Sequence, residues 1–304
     1  MRLRPWSLAL LMLLSCSVIF VALEWRRQSR DFSDAALLSR LPDTEGTIAY
    51  LNVSALRASG LLDMIAGSRT NEEPEYQAFV RTTGFDYRDN LDSVLANLRS
   101  DASLFLLRGR FSWEQIGEYL RANEGKCLNG VCWMEVRKGR YLSVMPLAPD
   151  VMALGVGNNK GVVYEAQEVR PGKAKWGVPK EPFWVRFSAG QLSEPGSLPE
   201  GTRAFASAVR GARNVVLGVA PEGQGLEARM RAEFDSAKEA ADRRAELEKA
   251  TELLRSFFAR DRQQPSPTDL SGLLTVGRFE QQQTDVNGFW PLDRTILQRL
   301  VAGL

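Results

Sequence analysis

Histidine is missing from all 304 residues. That one absence removes Ser-His and Cys-His catalysis, HExxH metalloproteases, histidine metal ligation and histidine pH switching together. Cysteine is scarce, at 3 residues, and beyond the N-terminal segment only Cys127 and Cys132 remain. A structural zinc site takes about four ligands, usually Cys or His; here only carboxylates are left to complete one, so no metal is expected. Charge of one sign is also lacking, because Lys+Arg 39 against Asp+Glu 37 leaves a net charge of +2. A broad nucleic-acid-binding face is therefore not expected. The chain has no Walker GK[ST], no G-x-S-x-G and no S-x-x-K. Gly155-Val156-Gly157-Asn158-Asn159-Lys160-Gly161 puts Lys160 where the third glycine of GxGxxG belongs, and reads as a plain turn. No cofactor is expected.

Long hydrophobic runs are absent with one exception. Ser7 to Leu23 (SLALLMLLSCSVIFVAL) is uncharged and apolar, between Arg2/Arg4 and Arg26/Arg27. A membrane-spanning helix needs about 20 apolar residues, with about 17 as its lower bound, and Trp6 and Trp25 at the interfaces bring the segment into range. Three readings of it stand side by side. An uncleaved signal-anchor fits the continuous apolar run and the lack of an A-x-A site. Leu13-Leu14-Ser15-Cys16 resembles a bacterial lipobox, which would make Cys16 a lipidation site, although Ser17 to Leu23 stays apolar where a mature lipoprotein turns polar. The third is cleavage and release. Basic residues flank both ends, so the positive-inside rule gives little orientation; the short basic start is the ordinary form of an export signal and favours a translocated C-terminal domain.

Cys127 and Cys132 sit symmetrically about Asn129-Gly130, the strongest short hairpin signal, since a type I′ turn needs positive φ at both central residues. If Leu128 and Val131 close the turn as its hydrogen-bonded pair, the two cysteines fall on the next, non-hydrogen-bonded pair, with Cα atoms about 4.5 Å apart. A disulfide tolerates that separation. The expectation is a Cys127–Cys132 bridge in an oxidising compartment; two reduced thiols in a cytosolic hairpin are the alternative.

With 44% apolar and 25% charged residues, the roughly 260 residues from Thr47 onward can bury a sizeable core. The pattern predicts a membrane segment over 1–23, a stalk over 24–46, a first α+β lobe over 47–157, a linker over 158–182 and a second lobe over 183–304. In the first lobe, strands are expected at Thr47–Val53, Ser103–Phe111, Tyr141–Leu147 and Val151–Val156. Helices are expected from an N-cap at Ser54 to Gly67, over Glu73–Thr83, and after Ser112. Phe85–Leu98 reads as a turn and short helix with Leu91, Val94, Leu95 and Leu98 inward. In the second lobe, strands are expected at Phe183–Ser188, Asn214–Ala220 and Leu226–Phe234. A long helix over Ser236–Arg260 buries Ala237, Ala240, Leu247, Ala250, Leu254 and Phe257. A closing hairpin, Leu270–Phe279 with Thr284–Trp290, precedes an end helix opened by Pro291. Strands and helices that do not alternate strictly point to α+β with largely antiparallel sheets. Gly109-Arg110-Phe111 recurs as Gly277-Arg278-Phe279, a hint of duplication, and two similar lobes would leave a groove between them as the natural ligand site.

Other residues weighed for chemistry read as structural. Asp86, Asp89 and Asp92 suit caps and solvated turns better than an acid/base pair. Arg110 and Arg278 suit structural ion pairs at strand ends. Arg170, Lys173, Lys175 and Lys180 around Trp176 suit a solvated connector.

The strand-helix TIAYLNVSAL, the strand-helix LLRGRFSWEQIGEYL and the strand VMALGVG give the chain a loose resemblance to uncharacterised bacterial membrane-anchored cell-envelope proteins with two α+β lobes. The resemblance implies a fold and a location, and no catalytic residue. The reading is a single-pass protein of the bacterial inner membrane with its C-terminal domain periplasmic or extracellular. It is expected to be a binding or interaction module for an envelope protein, not an enzyme. A carrier for lipid or another apolar ligand in the inter-lobe groove is one alternative, and a carboxylate-based hydrolase another.

Overall fold

A computed structural model of the chain describes residues 32–42, 46–66, 73–168, 178–187, 203–223, 225–260, 262, 264–266 and 270–293. The apolar run over 7–23, Cys16, linker residues 169–177 and residues 294–304 of the expected end helix lie outside the described residues. No helix among the described residues is long and apolar enough to cross a membrane.

The first half contains α1 (Asp34–Leu38), β1 (Thr47–Asn52), α2 (Val53–Ala58), α3 (Leu61–Ala66), α4 (Pro74–Thr83) and α5 (Tyr87–Asn90). It continues with β2 (Leu91–Leu98), β3 (Ala102–Gly109), α6 (Trp113–Ala122), β4 (Lys126–Leu128), β5 (Val131–Arg137), β6 (Arg140–Ala148) and β7 (Val151–Gly157). A 3-10 helix (Val162–Gln167) follows. The remainder is β8 (Phe183–Phe187), α7 (Arg203–Ala208), β9 (Asn214–Glu222), β10 (Gly225–Glu233), α8 (Ala237–Arg260), α9 (Leu270–Thr275), β11 (Arg278–Gln282) and β12 (Asp285–Leu292).

All the strands join one 12-stranded sheet in the order β11-β12-β10-β9-β8-β1-β2-β3-β7-β6-β5-β4. Every neighbouring pair is antiparallel. The α+β class with a large antiparallel sheet is therefore as expected. The stretch read as a linker does not interrupt the sheet, because β1 pairs with β8 from Ile48↔Arg186 to Leu51↔Phe183. Part of that stretch is core: Val162, Val163 and Ala166 of the 3-10 helix are buried against the sheet. Arg99 fixes the helix with two 2.9 Å hydrogen bonds to Glu165.

Side chains alternate between the sheet's faces. One face gathers Ile48, Tyr50, Leu95, Leu104, Leu106, Ala153, Trp184 and Val216 beneath Leu37, Leu38 and Leu41 of the α1 region and beneath the 3-10 helix. The opposite face gathers Val53, Leu56, Leu61, Val215, Met230, Ala240, Leu247 and Trp290. A third cluster packs Ile116 and Leu120 of α6 on Val144 and Met152.

Several local expectations are corrected. Leu91–Leu98 is a strand, not a helix: Leu91, Ser93, Leu95 and Asn97 are buried at alternate positions, and β1 and β3 flank it. An apolar set at 91, 94, 95 and 98 has the helical spacing i, i+3, i+4, i+7, and pairing on both sides overrides it in favour of the strand. Leu98, expected inward, is 39% exposed. The cap of α2 is Asn52, whose Oδ1 accepts from the Ala55 N–H at 2.9 Å, while Ser54 Oγ donates to the same oxygen. Gly60, at φ +70°, then ends α2 and separates it from α3. Leu270–Thr275 is helical; of the expected strand only Arg278 and Phe279 belong to β11, which runs on to Gln282. Pro291 belongs to β12 opposite Glu227. It lies beyond Phe289, where pairing with β11 ends, so its missing N–H interrupts no bond on that side. In α8, Ala240 and Leu247 are buried as expected, whereas Ala237 and Phe257 face out, Phe257 at 44% exposure.

Candidate functional site

An apolar cavity of about 590 Å³ lies on the β8–β9–β10 region of the sheet. Its floor is Leu51 of β1, Phe183 and Phe187 of β8, Val215, Leu217 and Val219 of β9, Ala228 and Met230 of β10 and Trp290 of β12. Leu56 of α2 and Leu61 and Ile65 of α3 wall one side. Phe205, Ala206 and Val209 of the α7 region and Leu273 and Leu274 of α9 wall the other. Side chains from both halves of the chain thus meet across the β1–β8 seam. Phe183 and Leu217 are 37% and 42% exposed, although they sit on interior strands. Exposed large apolar side chains in the middle of a sheet mark a wall left wet by this open cavity.

Arg229 also borders the cavity, but strand alternation sends its side chain to the opposite face, because Ala228 and Met230 face the cavity. There Nε donates to Glu227 at 2.9 Å and a terminal nitrogen to Glu222 at 3.0 Å, with Glu181 at 3.7 Å. The Glu227 hydrogen bond holds the Arg229 pKa above its ordinary value against the opposing effect of burial. No charged side chain therefore points into the cavity among its lining residues. A space of this size lined by aliphatic and aromatic groups has the dimensions of a small-molecule site, for which about 300–1,000 Å³ is usual. It lacks the convergent polar groups that catalysis or the recognition of a charged ligand requires.

The bridge between Cys127 and Cys132 is present, with an S–S distance of 2.07 Å and a Cα–Cα distance of 4.0 Å. Leu128↔Val131 closes the turn and Cys127↔Cys132 is the next pair, in the register expected. Asn129 and Gly130 have φ of +52° and +80°, the positive values the turn demands. The hairpin lies at one edge of the sheet, away from the cavity.

The other residues weighed in the sequence are not brought together. Asp86 is buried and accepts from the Arg88 N–H at 2.9 Å and from Tyr76 Oη at 3.2 Å, the work of a cap. Asp92 stands 3.9 Å from Arg57. Arg110 donates to the Asp89 carbonyl, and Arg278 pairs with Glu227 at 3.4 Å. Asn158-Asn159-Lys160 forms a turn after β7. Arg170, Lys173, Lys175 and Trp176 lie outside the described residues. Among the described residues no group of three or more His, Cys, Asp or Glu is placed to hold a metal.

Sequence reasoning named a groove between halves but none of the residues lining it. Those side chains come from nine elements, and each looks like ordinary core. The available signal was small: Phe183 and Leu217 belong to strands apolar on both faces.

No protein-family model matches the chain, and no curated protein matches it. Among solved structures, crystal form I of TP0453 superposes with a TM-score of 0.47 at 10% identity, covering 88% of this chain and 97% of that one. Crystal form III gives the same score and identity over 88% and 98% of the two chains, and form IV gives 0.45 at 8% identity over 88% and 95%. So distant a likeness implies no function for this chain.

Proposed function

We propose that this chain is a membrane-anchored, extracytoplasmic binding protein of the bacterial envelope, and that its ligand is apolar. The observation that carries the second part is the cavity of about 590 Å³, walled by aliphatic and aromatic side chains from residues 51–65 and 182–292. Between a protein-interaction module and a carrier of apolar molecules, that geometry favours the carrier. Burying a hydrocarbon ligand there gains roughly 25 cal/mol for each Å² withdrawn from water, and with no charged group in the wall selection rests on shape and apolarity. The reading retains the signal-anchor over 1–23, a single pass through the inner membrane and two lobes that share the cavity. It assigns no reaction and no cofactor.

The test is native mass spectrometry of the full chain after detergent-free extraction, beside a variant in which Ala206→Trp fills the cavity from α7. Wild type is expected to carry a co-purifying lipid or other apolar molecule, and the variant to lose it at least tenfold while melting like ligand-free wild type. Wild type free of ligand, and unable to take up the neutral fluorophore N-phenyl-1-naphthylamine, refutes the carrier reading. The anchor is tested separately: a chain recovered in the soluble fraction, with its N-terminal residues removed, contradicts it.

A further inference from the structure

At the other end of the sheet, beside the disulfide hairpin, lies a polar cleft of about 550 Å³. It is bounded by the α6–β4 turn, by β5 and β6, and by the turn after β7. Trp133 is opposite Ser143 and Glu135 is opposite Tyr141, so Trp133 and Tyr141 are diagonal neighbours on one face, about 7–8 Å apart. Both are half-buried and both line the cleft. The exposed Lys160 places its ammonium 4.5 Å from the Trp133 ring centroid.

Glu124, Lys126 and Asn158 stand around these rings. None of the side chains of Glu124, Lys126, Tyr141 or Asn158 has a hydrogen-bond or ion-pair partner among the described residues. The cleft's carboxylates, Glu124 and Glu135, balance its ammoniums, Lys126 and Lys160. A site without net charge gives no advantage to an anion or a cation. Two aromatic rings on one face, together with the unengaged Glu124 carboxylate, Asn158 amide and Lys126 ammonium, do match a ring with an apolar C–H face and a hydroxyl edge, for hydroxyls both donate and accept; Glu135 already accepts the Gly139 N–H at 2.6 Å. The wall is also held in place: Lys126 pairs directly with Trp133, and the next pair along is the Cys127–Cys132 bridge. Such preorganisation lowers the ordering cost of binding.

We propose that this cleft is a binding site for a neutral saccharide, with Trp133 and Tyr141 as the stacking platform, the exposed Lys160 ammonium giving up the Trp133 face to the sugar, and Glu124 and Asn158 as hydroxyl partners. It is separate from the apolar cavity, and either site stands if the other fails.

The test uses the full chain in micelles of a phosphocholine detergent, which carries no sugar headgroup. Saturation-transfer NMR and titration calorimetry are run with cellotetraose, maltotetraose and chitotetraose. At least one is expected to bind with Kd below about 1 mM. Trp133→Ala is expected to weaken that binding at least tenfold and Trp133→Phe to restore most of it. Glu124→Ala, on an exposed turn, is expected to weaken it at least threefold, and it serves as the probe if Trp133→Ala alters the melting temperature. No saturation transfer from any of the three sugars at about 5 mM, or full affinity in the folded variants, overturns the assignment.

Discussion

Tyr50 shows how one side chain ties a peripheral helix to the sheet. The residue is 6% exposed, and its hydroxyl donates to Asp34 Oδ2 at 2.7 Å; Arg108 holds the other oxygen at 3.2 Å. Burial first, and then the Asp34 carboxylate, push the phenol's pKa above its ordinary value of 10.0. In the folded protein the proton is therefore held more tightly than in the unfolded chain, so this contribution to stability is complete below the ordinary phenol range. It declines as pH rises above that range, because only the unfolded state then gives up its proton. Urea titrations across alkaline pH are expected to show stability falling, with a smaller fall in Tyr50→Phe. At neutral pH that variant loses about 1 kcal/mol with the hydrogen bond. Equal alkaline slopes for the two proteins would remove Tyr50 from the explanation. The repeated Gly-Arg-Phe triplets have a physical reason at the same scale. A Cβ at Gly109 would lie 2.3 Å from the Asn90 carbonyl oxygen, and one at Gly277 would lie 2.5 Å from Trp290 Nε1. Backbone cannot give way as a side-chain tip can, so Gly109→Ala is expected to cost about 1–3 kcal/mol, read as a lowered urea midpoint.

Among the elements, the disulfide hairpin was the most legible, because turn chemistry and pairing register are local properties of Lys126 to Trp133. Its bridge closes a very short loop, for which chain entropy gives about 2 kcal/mol. Since β4 has only 3 residues, all exposed, and forms the sheet's outer edge, most of that effect is expected to stay local. In the Cys127→Ser, Cys132→Ser double variant, amide exchange should quicken across β4 and the start of β5. The global melting temperature should change little; a large fall would mean that the hairpin supports the whole sheet. Other elements were misread for reasons outside their own sequence. Leu91–Leu98 carries the helical spacing of apolar residues, and its placement between β1 and β3 overrides that spacing to make it a strand. Leu270–Thr275 is as apolar as a strand, yet α8 and the cavity take it as a helix; Leu273 and Leu274 form part of the wall. The long helix α8 is legible because a 24-residue pattern outweighs local error, whereas in its last turns Phe257 sits on the expected stripe and is nevertheless 44% exposed. The cavity itself could not be read, since a wall drawn from β1, α2, α3, α7, β8, β9, β10, α9 and β12 is a property of the assembled fold.

At the scale of the molecule, the seam between β1 and β8 decides whether the two halves behave as lobes or as one cooperative body. Trp184 occupies that seam. It is fully buried, pairs across it with Tyr50 and stacks on that ring at 5.6 Å between centroids. It also belongs to the same core cluster as Leu104 of β3 and Val216 of β9. On the other face, Val53, Leu56 and Leu61 share a cluster with Val215, Phe234 and Trp290. Both cores thus cross the seam, and neither half can expose its side of it without opening a face of the other. Replacing Trp184 by Ala removes a large buried ring and is expected to cost about 3–5 kcal/mol. If the sheet is one cooperative unit, amide exchange in β2–β3 and in β9–β10 should accelerate together in Trp184→Ala, and far-UV and near-UV transitions should coincide, as in a two-state unfolding. If the halves are autonomous, acceleration will be confined to one side and the transitions will separate. The first outcome would also bind the cavity to the seam: a ligand resting on Leu51, Phe183 and Phe187 would stabilise both halves at once, raising a single melting temperature that climbs with the logarithm of ligand concentration above its Kd.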